Sequence, residues 1–111
     1  MTKVFIPHNV TRYNPAVNRR VPAFDFSDAA THGTLITILP DSADLFQTQE
    51  RLMDIRNVIR SQMEVGDFFL PVGDPSIIAL CSAVIAEETG QLRILKFDKK
   101  LQRYIKLEAF L

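Results

Sequence analysis

Gly73-Asp74-Pro75-Ser76 is the stretch of this chain best suited to chemistry, because it joins an apolar, strand-like run (Phe68-Phe69-Leu70-Pro71-Val72) to an apolar, helix-like segment closing at Gly90. Free backbone N–H groups at such a helix start bind anions, and ligands of open α/β sheets collect at the carboxyl ends of strands. Gly73, Asp74 and Ser76 are therefore the candidate ligand turn, with His8 or His32 as possible companions. The residue types argue against a phosphate. Asp74 puts a carboxylate where the anion would sit, and Pro75 removes one N–H donor. Asp before Pro is also a standard way to cap a helix, and capping is the simpler reading. Neither Gly-x-Gly-x-x-Gly nor a glycine-rich loop ending in Gly-Lys-Ser/Thr occurs, and Ser76 lacks the Gly-x-Ser-x-Gly elbow of acyl transfer.

The remaining reactive side chains are sparse. Cys81 shares a helix face with Ile78 and Ile85, where a free thiol acts as a small hydrophobe, and no helix N-terminus or cation stands beside it to make a nucleophile. His8 and His32 have no cysteine or carboxylate at ligand spacing and read as turn histidines, so neither a metal nor a cofactor is expected. No catalytic residue emerges, and the chain reads as a non-enzyme.

Charge is balanced overall but not along the chain. Thirteen basic and thirteen acidic residues cancel, so no whole-molecule field draws nucleic acid or anionic lipid. Residues 41–90 hold nine acidic groups against three arginines, whereas residues 91–111 hold six basic groups against two acidic ones. The basic set is Arg93, Lys96, Lys99, Lys100, Arg103 and Lys106. Tyr104 and Lys106 alternate with Ile105 and Leu107, placing a ring beside a cation, as on platforms that bind single-stranded nucleic acid. Lysine on an edge strand also discourages edge-to-edge association, and that reading carries more weight in a neutral chain. Arg12, Tyr13, Arg19 and Arg20 form a second group of the residue types enriched at protein interfaces, and they are the candidate partner-binding residues.

The elements that must position these groups follow from local pattern. Lys3 to Ile6 reads as a first strand stopped by Pro7. Residues 7–33 hold three prolines and no sustained apolar period, which predicts a long irregular connection or arm. Thr34 to Leu39 is a β-branched strand ended by Pro40, after which Asp41 or Ser42 is the expected N-cap of a helix. Leu45, Leu52, Ile55, Ile59 and Met63 then recur at helical steps, and Gly66 closes the element. Phe68 to Val72 is apolar on both alternate sets, as in a strand covered on both faces, with Pro71 marking its end. Leu92 to Phe97 and Arg103 to Leu107 make a hairpin around Asp98 to Gln102. The predicted fold is one α/β domain over 1–111: a small two- or three-layer, Rossmann-like sheet of about five strands, two helices and an antiparallel C-terminal hairpin.

One domain of this length folds without staples, and the lone cysteine excludes an intrachain disulfide. The apolar run at Val4 to Ile6 is too short for a signal peptide, and nothing approaches the roughly eighteen apolar residues of a membrane span. A cytoplasmic protein without membrane contact is expected.

Asp67-Phe68-Phe69-Leu70, Gly73-Asp74-Pro75, Leu95-Lys96-Phe97-Asp98 and Arg103-Tyr104 together resemble a group of small tailed-bacteriophage proteins of unassigned function. The resemblance covers the C-terminal half, and extends in a looser way to Lys3-Val4-Phe5-Ile6 and His32-Gly33-Thr34-Leu35. Phe97 stands where that group carries tryptophan. The resemblance implies a phage accessory protein in an infected bacterial cell and brings no catalytic residue. Three readings result. One is a protein that acts through contacts with a second copy or a host protein. Another is a nucleic-acid binder using the basic hairpin, and the third an enzyme or small-ligand receptor built at Gly73 to Ser76 with His8 or His32 nearby.

Overall fold

A computed structural model describes residues 1–111. Its main sheet has five strands in the order β4-β1-β5-β6-β7, namely Thr34–Thr37, Lys3–Ile6, Phe68–Phe69, Gln91–Asp98 and Arg103–Phe110. β4, β1, β5 and β6 are parallel, and β7 runs antiparallel to β6. The α/β sheet, the two helices and the antiparallel C-terminal hairpin expected from the sequence are all present.

Chain direction explains the layers. From β4 the chain moves across the sheet through α1 (Thr48–Gln62) to β5, then through α2 (Pro75–Thr89) to β6, always the same way. Right-handed crossovers made in one direction place both helices on one face. Ile55 and Ile59 of α1 and Ile77, Cys81, Val84 and Ile85 of α2 accordingly bury Phe5, Ile38, Leu39 and Phe69 in one cluster. The first crossover, β1 to β4, runs the opposite way and so lies on the other face. There Val4, Ile6, Phe68, Leu70, Leu95 and Tyr104 are covered by Ala29 and Phe26 of the crossover rather than by a helix.

Three expectations need correction. The first concerns residues 7–33, read as irregular. They contain a two-stranded antiparallel ribbon, β2 (Thr11–Asn14) and β3 (Arg19–Pro22), and a 3₁₀ turn at Ala29–His32. Thr, Tyr and Val at Thr11, Tyr13 and Val21 suit a strand, and Asn18 accepts a left-handed conformation (φ 51°) in the loop. The second concerns α1, which begins at Thr48 rather than after Asp41 or Ser42. Asp41 instead accepts from Asn9 Nδ2 at 2.9 Å, and Asp44 accepts from the Phe46 N–H at 2.9 Å, so both carboxylates serve turns. Leu45 and Met63 still pack against the core from outside the helix.

The third concerns strand lengths. β4 ends at Thr37 and β5 at Phe69, both short of the apolar runs that contain them. Their ladders nevertheless continue by single bonds, Ile38 N to Ile6 O at 2.9 Å and Leu70 N to Phe5 O at 2.8 Å, before Pro40 and Pro71 end them.

α2 forms as expected. The Asp74 carboxylate accepts from the Ile77 N–H at 3.1 Å, Pro75 occupies the first helical position, and Gly90 closes the helix in the left-handed region (φ 74°). Arg56 with Glu87 (3.1 Å) and Arg60 with Glu88 (2.6 Å) link the outer faces of α1 and α2.

Candidate functional site

Strand order places the Gly73 turn at the point where neighbouring strands send their connections to opposite faces. β1 exits toward the ribbon, its neighbour β5 exits toward α2, and ligands of open sheets bind in the crevice between two such exits. Here the crevice is filled by the protein. The His8 ring lies in it, and its Nε2 accepts the Asp74 N–H at 2.8 Å while Nδ1 faces the Asn9 carbonyl oxygen at 3.1 Å. An accepting Nε2 assigns the ring proton to Nδ1. Gly73 has φ 107°, and a Cβ there would overlap the His8 ring. With the Asp74 carboxylate turned onto Ile77 and its N–H taken by His8, the turn offers an anion little. Ser76 is exposed just inside α2.

His32 is not brought to His8. It lies at the opposite end of the sheet, before β4, with its ring edge-on to Phe68 at 6.3 Å between centroids. No group of three His, Cys, Asp or Glu side chains is arranged to hold a metal ion. Cys81 is buried among apolar residues, and burial pushes its thiol up to about 12, which keeps it protonated at neutral pH.

The ribbon projects Arg12, Tyr13, Arg19 and Arg20 into solvent. Pairing of Tyr13 with Arg20 and of Asn14 with Arg19 puts Tyr13 and Arg20 on one ribbon face and Arg12 and Arg19 on the other. Arg20 is held by Thr11, whose hydroxyl accepts from Nε and whose carbonyl accepts from a terminal nitrogen, each at 2.7 Å. The Tyr13 hydroxyl donates to Asn18 Oδ1.

The basic hairpin divides into two parts. Arg93 and Lys106 lie over the Phe68 ring, at 4.4 and 5.5 Å from its centre, and Arg93 Nε also donates to Glu108 at 3.1 Å. Lys96, Lys99, Lys100 and Arg103 surround the turn, exposed and without ion-pair partners. Tyr104 is not the exposed stacking ring that alternation with Lys106 suggested. It is only 7% exposed and packs edge-on against Phe97 at 5.2 Å, because its side of the hairpin meets the crossover. Its N–H donates to Asp28 Oδ2 at 2.7 Å. Burial, then the nearby Asp28 and Asp25 carboxylates, raise its phenol above the ordinary value.

Between the crossover and the hairpin lies a cleft of about 640 Å³, with Leu70, Val72, Leu95 and Tyr104 inside and Phe24, Phe97, Asp28 and Lys99 around it. Sequence reading missed it because its two walls are 70 residues apart in the chain. The only local signal was Phe24 and Phe26 in a proline-rich stretch.

A sequence profile of phage Pam3 gp32-like proteins matches residues 2–110. The chain belongs to that family. No curated protein and no solved structure matches it. The family match covers ribbon, sheet and hairpin together, so this phage Pam3 gp32-like chain carries every surface described above within the matched region. No helix is long and apolar enough to cross a membrane.

Proposed function

We propose that this phage protein is a non-enzymatic accessory factor of the infected bacterial cytoplasm that acts by protein–protein contact, with a second copy or a host protein. One observation carries the reading: β7 is a long edge strand with apolar side chains turned to solvent. Leu107 is 42% exposed and Phe110 73%. Exposed edges of this kind are templates for pairing with another chain, and proteins normally cover or blunt them. The ribbon adds a second contact surface, with Arg12, Tyr13, Arg19 and Arg20 held on a short scaffold. The Gly73 turn supports no competing enzymatic reading, since it is capped and filled by His8.

The test is a pull-down of host proteins by wild type and by a variant with Arg12, Tyr13, Arg19 and Arg20 all changed to alanine, alongside light-scattering mass for both. Loss of a specific retained protein by the variant, or self-association of the wild type, supports the reading. If both chains stay monomeric and retain the same background, the contact function is wrong.

The unpaired cations at the β6–β7 turn favour one alternative, a nucleic-acid binder using Arg93, Lys96, Lys99, Lys100, Arg103, Tyr104 and Lys106. With Tyr104 buried, binding would rest on charge and on Phe97, so affinity for a single-stranded oligonucleotide should fall steeply with salt. Binding absent at low salt removes this alternative.

A further inference from the structure

Hydrogen-bond parity shows which groups of β7 are free. The Leu111 N–H donates to the Gly90 carbonyl at 3.0 Å, and residues 90 and 111 continue the register that pairs Gln91 with Phe110 and Asp98 with Arg103. In an antiparallel ladder bonded and non-bonded pairs alternate, so Arg103, Ile105, Leu107 and Ala109 bond to β6. Tyr104, Lys106, Glu108 and Phe110 then turn their N–H and C=O groups outward. The Tyr104 N–H agrees, since its partner is Asp28 rather than β6. Nothing else in the chain bonds the outward N–H groups of Lys106, Glu108 and Phe110.

We propose that this edge pairs with the same edge of a second copy, antiparallel about a two-fold axis at Leu107, joining two five-stranded sheets into one of ten strands. The inference rests on the contact function above and names its partner. The side chains select the register. Outward residues must meet outward residues, which leaves three central registers. Centring on Lys106 would oppose two lysines, and in any register that uses Tyr104 the strand contributes only the Tyr104 carbonyl there, because Asp28 holds its N–H. Centring on Glu108 would oppose two glutamates.

Centring on Leu107 instead sets Lys106 of each copy opposite Glu108 of the other, Tyr104 opposite Phe110, and the two Leu107 side chains against each other. Opposite charges across a ladder stabilise it and like charges oppose it. Glu108 already accepts from Arg93, so each carboxylate would lie between an arginine of its own chain and a lysine of the other. An interface in which one patch meets itself closes at two copies.

Charge exchange tests the register. In sedimentation or light-scattering measurements the wild type should be dimeric, and Lys106→Glu and Glu108→Lys should each weaken the dimer at least tenfold. The double variant should recover it. Leu107→Cys provides a second reading. At the axis the two thiols form a non-bonded ladder pair with Cα atoms about 4.5 Å apart, within disulfide range, so mild oxidation should cross-link Leu107→Cys but not Ile105→Cys.

A wild type monomeric at every concentration overturns the proposal, as does a dimer indifferent to charge exchange that fails to cross-link through position 107. Ribbon-dependent retention of a host protein by a monomer would overturn only the pairing and leave the contact function standing. A monomer that retains nothing overturns both.

Discussion

His8 Nε2 accepts the N–H of Asp74 at 2.8 Å, joining the exits of two adjacent parallel strands through residues 66 apart in the chain. The contact depends on the absent side chain of Gly73, whose φ of 107° also suits glycine alone. Gly73→Ala should therefore lower stability by about 2–4 kcal/mol, from backbone strain and overlap together. His8→Ala should remove the overlap but not the strain, so the double variant should be less destabilised than the two single effects added. Urea unfolding of the four proteins measures that difference, and strict additivity would show that His8 and Gly73 do not touch.

Lys3 and Glu64 pair at 2.8 Å near the buried Asp67, which also accepts from the Lys3 and Glu64 backbone N–H groups. The lysine lowers the Glu64 carboxyl below its ordinary 4.5. The carboxylates, Glu64 foremost, raise Lys3 above 10.5 against the opposing effect of desolvation. A lowered acid stabilises the fold above its unfolded value and loses that contribution as pH falls through its folded value. A raised lysine stabilises below 10.5 and loses its contribution as pH climbs through the folded value. Stability from this pair should thus be level through neutrality and decline at both ends. Glu64→Gln should flatten the acid limb, as a series of thermal melts against pH would show, with a small effect because the Glu64 carboxylate is exposed.

Cys81 should ignore thiol reagents in the native protein. With the thiol buried and pushed up to about 12, labelling must await opening of the helix–sheet core. Its rate should track global unfolding as urea rises. Fast labelling without denaturant would mean that the helical face opens locally.

Asp28 ties the crossover to the first outward N–H of β7, and Asp28→Ala should cost about 1.5–3 kcal/mol by removing a charge-assisted bond to the one buried residue of that edge strand. It should also move the Tyr104 phenol back toward 10, since a nearby carboxylate helps hold it up, while burial keeps part of the shift. Ultraviolet titration of tyrosinate in a Tyr13→Phe background isolates that phenol. An unchanged midpoint would place Asp28 too far away to matter.

What the sequence disclosed was local. Asp74, Pro75 and Gly90 announce α2 because capping depends on neighbours a few residues away. The start of α1 was misplaced because Asp41 is claimed by Asn9, across 32 residues. The ribbon was hidden by short, charged strands whose pairing buries little, although Asn14-Pro15 and Asn18 between Thr11–Tyr13 and Arg19–Val21 form a hairpin signal. The alternation of Tyr104 with Ile105 was right, but which side faces the protein depends on the crossover. The filled crevice at His8 needed the strand order, which no local pattern encodes.

The position of β1 has a consequence for synthesis. It lies inside the sheet between β4 and β5, yet precedes both in the chain, so the ribosome releases Val4-Phe5-Ile6 well before either neighbour exists. Until Phe68-Phe69 has emerged this apolar segment has at most one side to pair with, and its non-local contacts are slow to form. The nascent chain is exposed to misassociation at β1, and the moment of rescue is the arrival of Phe68-Phe69.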